Sequence, residues 1–140
     1  MDPREELYAA LKEALQGIEE VKHVDMWNLN TQFLEEEIPW QRPAVFIELG
    51  DIEWNVLKDC FRGYGNVKLH TVIDWSDSAP IEAWRLTNKI WHALERIDTD
   101  HTDGYVPWLT QSNHSHDEVF ENIDVFTVKY IKPWNTDDEG

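Results

Sequence analysis

The run AVFIELGDIEWNVL, residues 44–57, constrains the fold more than any other stretch of the sequence. It is the most strand-like segment, because β-branched and aromatic residues dominate it. The dipeptide Gly50-Asp51 interrupts the run, and residues 37–43 precede it with Trp40 between two prolines. The sequence therefore predicts a bent strand behind a stiffened aromatic loop, which suits either the decorated edge of a core or a surface that meets another subunit.

Two amphipathic segments predict helices before and after the central strands. The first, residues 1–18, has Asp2 as a capping residue and Pro3 at the first helical position. The second starts after a possible cap at residues 76–78 and extends to about Ile97. Their core-facing residues recur at helical spacing: Leu7, Leu11, Ala14, Leu15 and Ile18 in the first, and Ala83, Leu86, Thr87, Ile90, Leu94 and Ile97 in the second.

The remaining segments predict strands joined by turns. Glycines within residues 58–66 predict the turn of a hairpin between the two central strands. Pro107 predicts that its strand starts there or lies at an edge. Residues 98–105 predict an acidic, turn-rich loop. The further predicted strands are 21–28, 63–75, 105–120 and 122–134.

This order of elements predicts a single α+β domain, residues 1–134, with a two-layer architecture: a mostly antiparallel sheet and two helices packed on one face. We expect the acidic tail, residues 135–140, to be disordered. The 140-residue chain is 41% hydrophobic, which is sufficient for one core. The single cysteine, Cys60, excludes an internal disulfide and a cysteine zinc site. We expect no membrane contact and no secretory signal, hence synthesis in the cytoplasm.

The charge distribution disfavours direct nucleic-acid binding. Twenty-eight acidic residues against twelve basic ones give a net charge of −16. Residues 98–127 contain seven acids and no Lys or Arg. Such a surface repels phosphate groups. The acidity either keeps the protein soluble or lets a polyanion pass nearby without binding.

The sequence gives little support to catalytic or metal chemistry. His114 and His116 would project from one face of an extended segment, where Asp117, His70 or His101 could add a third metal ligand. The alternative is a polar strand end whose histidines contact water or a neighbouring subunit. No Gly-rich phosphate loop is present. We therefore expect no enzymatic activity and no cofactor.

Tryptophan is the residue type that bears most on function. The chain contains eight tryptophans, more than a two-layer domain of this size easily buries with every indole N–H bonded. Several stand near predicted element ends or in loops: Trp40, Trp75, Trp108 and Trp134. Partly exposed aromatic residues among polar ones form the centres of protein interfaces. We expect some to cap edges within the monomer and the others to favour assembly.

Three parts of the sequence carry a resemblance to a known family. They are VKHVDMWNLNTQFLEEEIPWQRPAVFIELGDIEW, then a strand ending in LHTVIDW, then, after a helix, SNHSHDEVFENIDVFTVKY. In pattern and order, over about residues 3–132, the chain resembles the tail terminator, or tail-completion, family of head–tail joining proteins of phages and prophages.

The resemblance implies a sheet backed by helices and assembly as a hexameric ring on the last ring of the tail tube protein. It places the chain in the neck of a virion made in the bacterial cytoplasm, next to the tail tube and a neck connector protein. It implies neither enzymatic activity nor a cofactor. An acidic bore in such a ring would let DNA pass without specific binding.

A ring requires two different surfaces that complement one another. We hypothesise that the proline-braced loop of one subunit meets the strand edge of the next, with a basic residue of the loop facing the acidic span. The candidate interface residues are Phe33, Trp40, Arg42, Pro107, Trp108, His114 and His116.

Three alternatives remain open from the sequence. The chain could be another neck protein, such as a connector or stopper. It could be a monomeric acidic adaptor or inhibitor that mimics nucleic acid to occupy a basic partner. It could be a metal-dependent hydrolase that uses His70, His114 and His116.

Overall fold

In the part of the chain that the structure describes, the fold is a five-stranded sheet with two helices on one face. The structure is a computed structural model that describes residues 2–27, 41–116 and 118–133. In chain order the elements are α1 (Pro3–Gln16), β1 (His23–Met26), β2 (Ala44–Val56), β3 (Cys60–Asp74), α2 (Ala79–Leu94), β4 (Thr102–His116) and β5 (Val119–Pro133). The sheet order is β1-β2-β3-β5-β4, and every neighbouring pair is antiparallel except β1 with β2. The predicted α+β class is confirmed.

The main core lies between the helices and one face of the sheet. The predicted stripes on both helices supply it, with Ile18 and Ile97 packed at its margin. The sheet contributes alternate residues of its inner face. The principal buried residues are Leu7, Leu11 and Leu15 of α1, Ala83, Leu86, Ile90 and Leu94 of α2, and Val45, Ile47, Val67, Leu69, Phe126, Val128 and Tyr130 of the sheet.

α1 begins at the predicted cap. The Asp2 carboxylate accepts the Arg4 backbone N–H at 2.9 Å and the Arg4 guanidinium at 2.9 and 3.1 Å. The side-chain hydrogen bond from Arg4 is the largest of the effects that lower the pKa of Asp2 to about 2. α2 starts after Ser78, whose hydroxyl donates to Glu82 and accepts no capping hydrogen bond from a backbone N–H. α2 ends at Leu94, before the predicted end.

The opposite face of the sheet carries a second, smaller cluster. Ala44, Phe46, Val72 and Val119 are buried there, and Trp27 packs against them. The Trp27 ring meets Phe46 nearly edge-on, with 6.2 Å between centroids. Both faces of the central strands are thus buried, although only one face contacts helices.

The predicted hairpin between the two central strands is confirmed, but the predicted extent of its turn, residues 58–66, is wrong, because β3 already begins at Cys60. The two glycines inside the strand serve close packing instead. A Cβ at Gly63 would lie 2.6 Å from Ile52 Cγ2, and one at Gly65 would lie 2.9 Å from the Asp51 carbonyl. Glycine in a strand interior often marks such a close approach. The hairpin turns at residues 57–59.

The bend predicted within β2 coincides with a change of register. Leu49 pairs with Val67 and Ile52 pairs with Gly65, so β2 contains one extra residue at Gly50-Asp51. An extra residue bends a strand and increases its twist. The irregularity lies where the sequence predicted it.

The predicted loop at residues 98–105 is shorter than expected, because β4 begins at Thr102. Gly104 has a φ of 81°, at a shift of register between Asp103 and Tyr105. A left-handed residue is typical of one class of β-bulge. The prediction that Pro107 lies on an edge strand is confirmed, because β4 is the last strand of the sheet.

The two tryptophans of α2 share one flank of the helix, because they lie seven residues apart, but they differ in their surroundings. Trp91 packs against Phe126 at a centroid distance of 5.5 Å. Trp84 is 55% exposed. The shared flank therefore contacts the sheet only in its second half.

We expect Gly63→Ala to lower the free energy of unfolding by about 1–3 kcal/mol, because the added methyl group overlaps Ile52 and Trp54. Gly17→Ala is the matched control. Its Cβ would meet nothing closer than 3.4 Å, so stability should be unchanged or raised by up to about 1 kcal/mol. Urea unfolding measures both. Equal effects at the two positions would contradict the packing role of Gly63.

Candidate assembly surface

The outer strand β4 carries an exposed apolar stretch. Val106, Trp108 and Leu109 are 58%, 66% and 41% exposed. β4 pairs only with β5 among the described strands, so its outer side has no partner in the described part of the sheet. Edge strands are usually protected from other chains by charged side chains, yet residues 104–116 contain no Asp, Glu, Lys or Arg. We call residues 104–116 the uncharged edge; it is the strongest candidate for an assembly surface.

Irregular pairing presents Trp108 at this edge. Pro107 pairs with Phe126 and Leu109 with Val125, so Trp108 is an additional residue on β4. Such an additional residue re-aims a side chain and is common at sheet edges. Proline lacks an N–H to donate, which also suits an edge. Two predicted interface residues, Pro107 and Trp108, therefore lie together on the exposed edge.

A partly buried polar network attaches the middle of β4 to the rest of the protein. The Thr110 hydroxyl donates to Asp124 at 2.8 Å, and the Ser112 hydroxyl donates to the Asn122 side-chain carbonyl at 3.4 Å. The Asn122 amide donates to Asp124 and to the Thr87 hydroxyl of α2, both at 3.2 Å. Side-chain hydrogen bonds thus join β4, β5 and α2 at this position.

Asp124 departs from the surface position expected for the acids of residues 98–127, since it is 1% exposed. Burial is the largest influence and raises its pKa, against hydrogen bonds that lower it. The hydrogen bonds of ordinary geometry that lower the pKa come from Thr110 and Asn122. Asp98 and Asp100 are exposed as expected.

Arg42 and His114, expected on two complementary patches, lie near one end of the sheet. The Arg42 guanidinium donates to Asp74 at 2.5 Å. The next residue, Trp75, stacks on the His114 ring with 3.8 Å between centroids and 17° between planes. Arg42 is thus engaged within its own chain, and it lines a groove of 380 Å³ together with Arg85 and Lys89.

The other predicted interface residues are not described as side chains. Phe33 and Trp40 lie outside the described residues, as does Asp117, which the sequence offered as a metal ligand. His116 pairs with Val119 at the end of β4.

The sequence analysis missed a cluster of one histidine and two glutamates on the sheet face away from the helices. His70 is 5% exposed and stacks on Trp27 with 3.8 Å between centroids and 2° between planes. Its Nδ1 lies 2.8 Å from a Glu121 carboxylate oxygen, and its Nε2 lies 2.7 Å from Glu48. Ionised carboxylates only accept hydrogen bonds, so a ring nitrogen that carries a proton has an acceptor beside it on either side. The cluster joins β2, β3 and β5.

Metal binding by the predicted histidines gains no support from the described part of the chain. It contains no group of three His, Cys, Asp or Glu side chains arranged to hold a metal ion. The His70 nitrogens face carboxylates, while the His114 ring stacks on an indole. In the described residues, neither helix has the length and apolar character needed to cross a membrane.

We expect Asp124→Asn to change how stability depends on pH. The pKa of Asp124 is raised above its ordinary value of 3.8 in the folded state. Between pH 3.8 and that raised pKa, the folded state therefore binds more protons than the unfolded state. Stability contributed by this group therefore falls as pH rises through that window. From about pH 4 to about pH 7 the parent should lose stability relative to Asp124→Asn.

Urea unfolding across that pH range measures this difference. Asp98→Asn, at an exposed carboxylate, is the control and should leave the pH dependence nearly unchanged. A parent that gains stability relative to Asp124→Asn as pH rises would contradict the assigned direction.

We expect His70→Ala to lower the free energy of unfolding by about 2 kcal/mol, because Glu48 and Glu121 lose their shared partner and Trp27 loses its stacking surface. His92, which is exposed and lies 3.6 Å from Glu95, provides the control. His92→Ala should change stability by less than about 0.5 kcal/mol. Chemical denaturation measures both variants. Equal stability of the two would contradict the structural role of the cluster.

The architecture has a counterpart among solved structures. The chain is similar to one chain of the virion of a native gene transfer agent particle, with a TM-score of 0.61 over 91% of this chain and 96% of that chain. The two sequences are 12% identical, so the likeness shows a shared fold. No family model matches the chain, and no curated protein matches it significantly in sequence.

Proposed function

We propose that this chain is a structural protein of a tailed phage or prophage particle. In this role it forms a ring at the head–tail junction, caps the tail tube and joins it to the neck. The observation that carries the proposal is the shared fold with a virion chain, which extends over nearly the full length of both chains. The sequence pattern described above supports the more specific terminator role.

The uncharged edge supports assembly. Trp108 is the most exposed aromatic residue among the described side chains, at 66%. A tryptophan in that position costs solubility unless another surface covers it. Aromatic residues of this kind are the usual anchors of protein interfaces. In an assembly a neighbouring chain can cover this exposed strand, whereas in an isolated subunit it remains in contact with water.

The acidic surface is consistent with a channel through which DNA passes without binding. Asp98, Asp100 and Glu118 are exposed within a span that has no basic residue. If that span faces the channel of a ring, phosphate groups are repelled along the passage. The proposal therefore places residues 98–100 and 118 towards the bore.

We propose a structural role without enzymatic activity. The clustered polar residues hold strands together: the Asp124 network connects β4, β5 and α2, and His70 connects three strands. Their polar groups are occupied by one another. The role requires no cofactor.

The net charge of −16 favours one competing function, a monomeric acidic adaptor that occupies a basic partner. That function predicts a protein absent from purified particles. It also predicts a complex with a basic protein that weakens steeply with added salt.

Deletion of the gene from the phage or prophage that encodes the chain tests the proposal. Because a cap on the last tube ring blocks further addition of subunits, we expect tails of irregular length and tails that are not joined to heads. Electron microscopy of the particles measures both, with the restored gene as control. Joined, normal particles after deletion would contradict the proposal. Normal, capped tails beside unjoined or leaking heads would indicate a connector or stopper instead.

A further inference from the structure

We propose that β4 of one subunit pairs, through main-chain hydrogen bonds, with the free outer edge of β2 in a second copy of this chain. This inference names the two surfaces through which copies meet. That the copies close into a ring rests on the proposed function.

The second surface lies on β2, beyond the residues that pair with β1. β1 pairs with β2 only from His23 opposite Ala44 to Met26 opposite Ile47. No described strand pairs with the outer side of residues 48–56. We call this stretch the free half of β2. It presents exposed apolar groups too, since Trp54 and Val56 are 41% and 68% exposed.

The two free edges lie at the same height of the sheet. Followed through β5 and β3, the cross-strand pairs place Tyr105 level with Ile52 and Pro107 level with Leu49. The exposed Val106 and Trp108 therefore stand level with the free half of β2 rather than with β1. A neighbouring copy can approach without displacing any described strand.

The topology determines the kind of contact. β2 and β4 lie towards opposite lateral edges of the sheet. When β4 of one copy pairs with β2 of the next, two different surfaces meet, and the same contact can be repeated from copy to copy. β4 runs opposite to β2, because three successive antiparallel pairs separate them. Copies related by rotation about an axis along the strands keep these directions. The new pair is then antiparallel, like the pairs beside it.

Charge favours a second copy over a basic partner protein. Two chains of net charge −16 repel one another, and they can touch most easily along a strip that carries no charge. The uncharged edge is such a strip. Glu48 and Asp51 of the free half of β2 are level with this strip and would face no carboxylate on it, whereas Glu53 is level with Asp103, just beyond its end. A basic partner would instead be expected to dock on the acids.

Cysteine cross-linking tests the pairing directly. In a Cys60→Ser background, Asp51→Cys and Val106→Cys place single thiols on exposed positions of the two edges. A mixture of the two variants should form disulfide-linked dimers on oxidation, and a chain carrying both changes should form a ladder of larger products. Val106→Cys mixed with Glu13→Cys on the exposed side of α1 is the control, and should give about tenfold less product.

A second comparison uses two exposed tryptophans. Trp108→Lys places a charge in the seam and should weaken self-association about tenfold or more in sedimentation experiments. Trp84→Lys, on the exposed side of α2, should leave it unchanged.

The outcomes separate this inference from the proposed function. Cross-linking of Val106→Cys alone as efficiently as in the mixture would indicate a two-fold β4–β4 contact and overturn the inference. Particles that contain the variants but yield no cross-link would overturn it as well, while leaving the proposed function intact. Cross-linked chains that never enter particles would support the pairing and contradict the proposed function.

Discussion

The antiparallel pairing of β3 with β5 holds the other elements in place. Its register runs without a shift from Asp74 opposite Val119 to Cys60 opposite Pro133. The flanking pairs, β2 with β3 and β4 with β5, both contain shifts. A regular centre gives both helices a continuous apolar surface to cover, while extra residues in the outer strands bend them and re-aim their side chains. The regular pair thus supports the core, and the irregular strands carry the exposed features.

Polar groups maintain the positions of those outer strands. Asp124 and Asn122 connect β4 to α2, and His70 connects β2 to β5 through two carboxylates. Buried polar groups are costly unless bonded, so each network favours one arrangement of its strands. An edge held in this way is a rigid surface for a partner, and less ordering is required when a second chain pairs with it.

The sequence predicted what depends on local periodicity and failed where distant residues decide. Alternation and helical spacing identified the elements, and Pro107 identified the edge strand. Gly63 suggested a turn, because its real constraint, contact with Ile52, depends on the pairing of β2 with β3. The carboxylates around His70 come from two other strands and require both registers. Asp124 looked like its acidic neighbours, and only the position of α2 shows that it is buried.

The central claim is that another copy covers the outer sides of β4 and the free half of β2 in the assembled particle. Hydrogen exchange of backbone amides, compared between the free chain and purified particles, tests it most directly. The account predicts slower exchange on assembly at residues 102–108 and 48–56, with little change in the β3–β5 pair, whose amides are already bonded. Unchanged exchange at both edges in particles that contain the chain would contradict it.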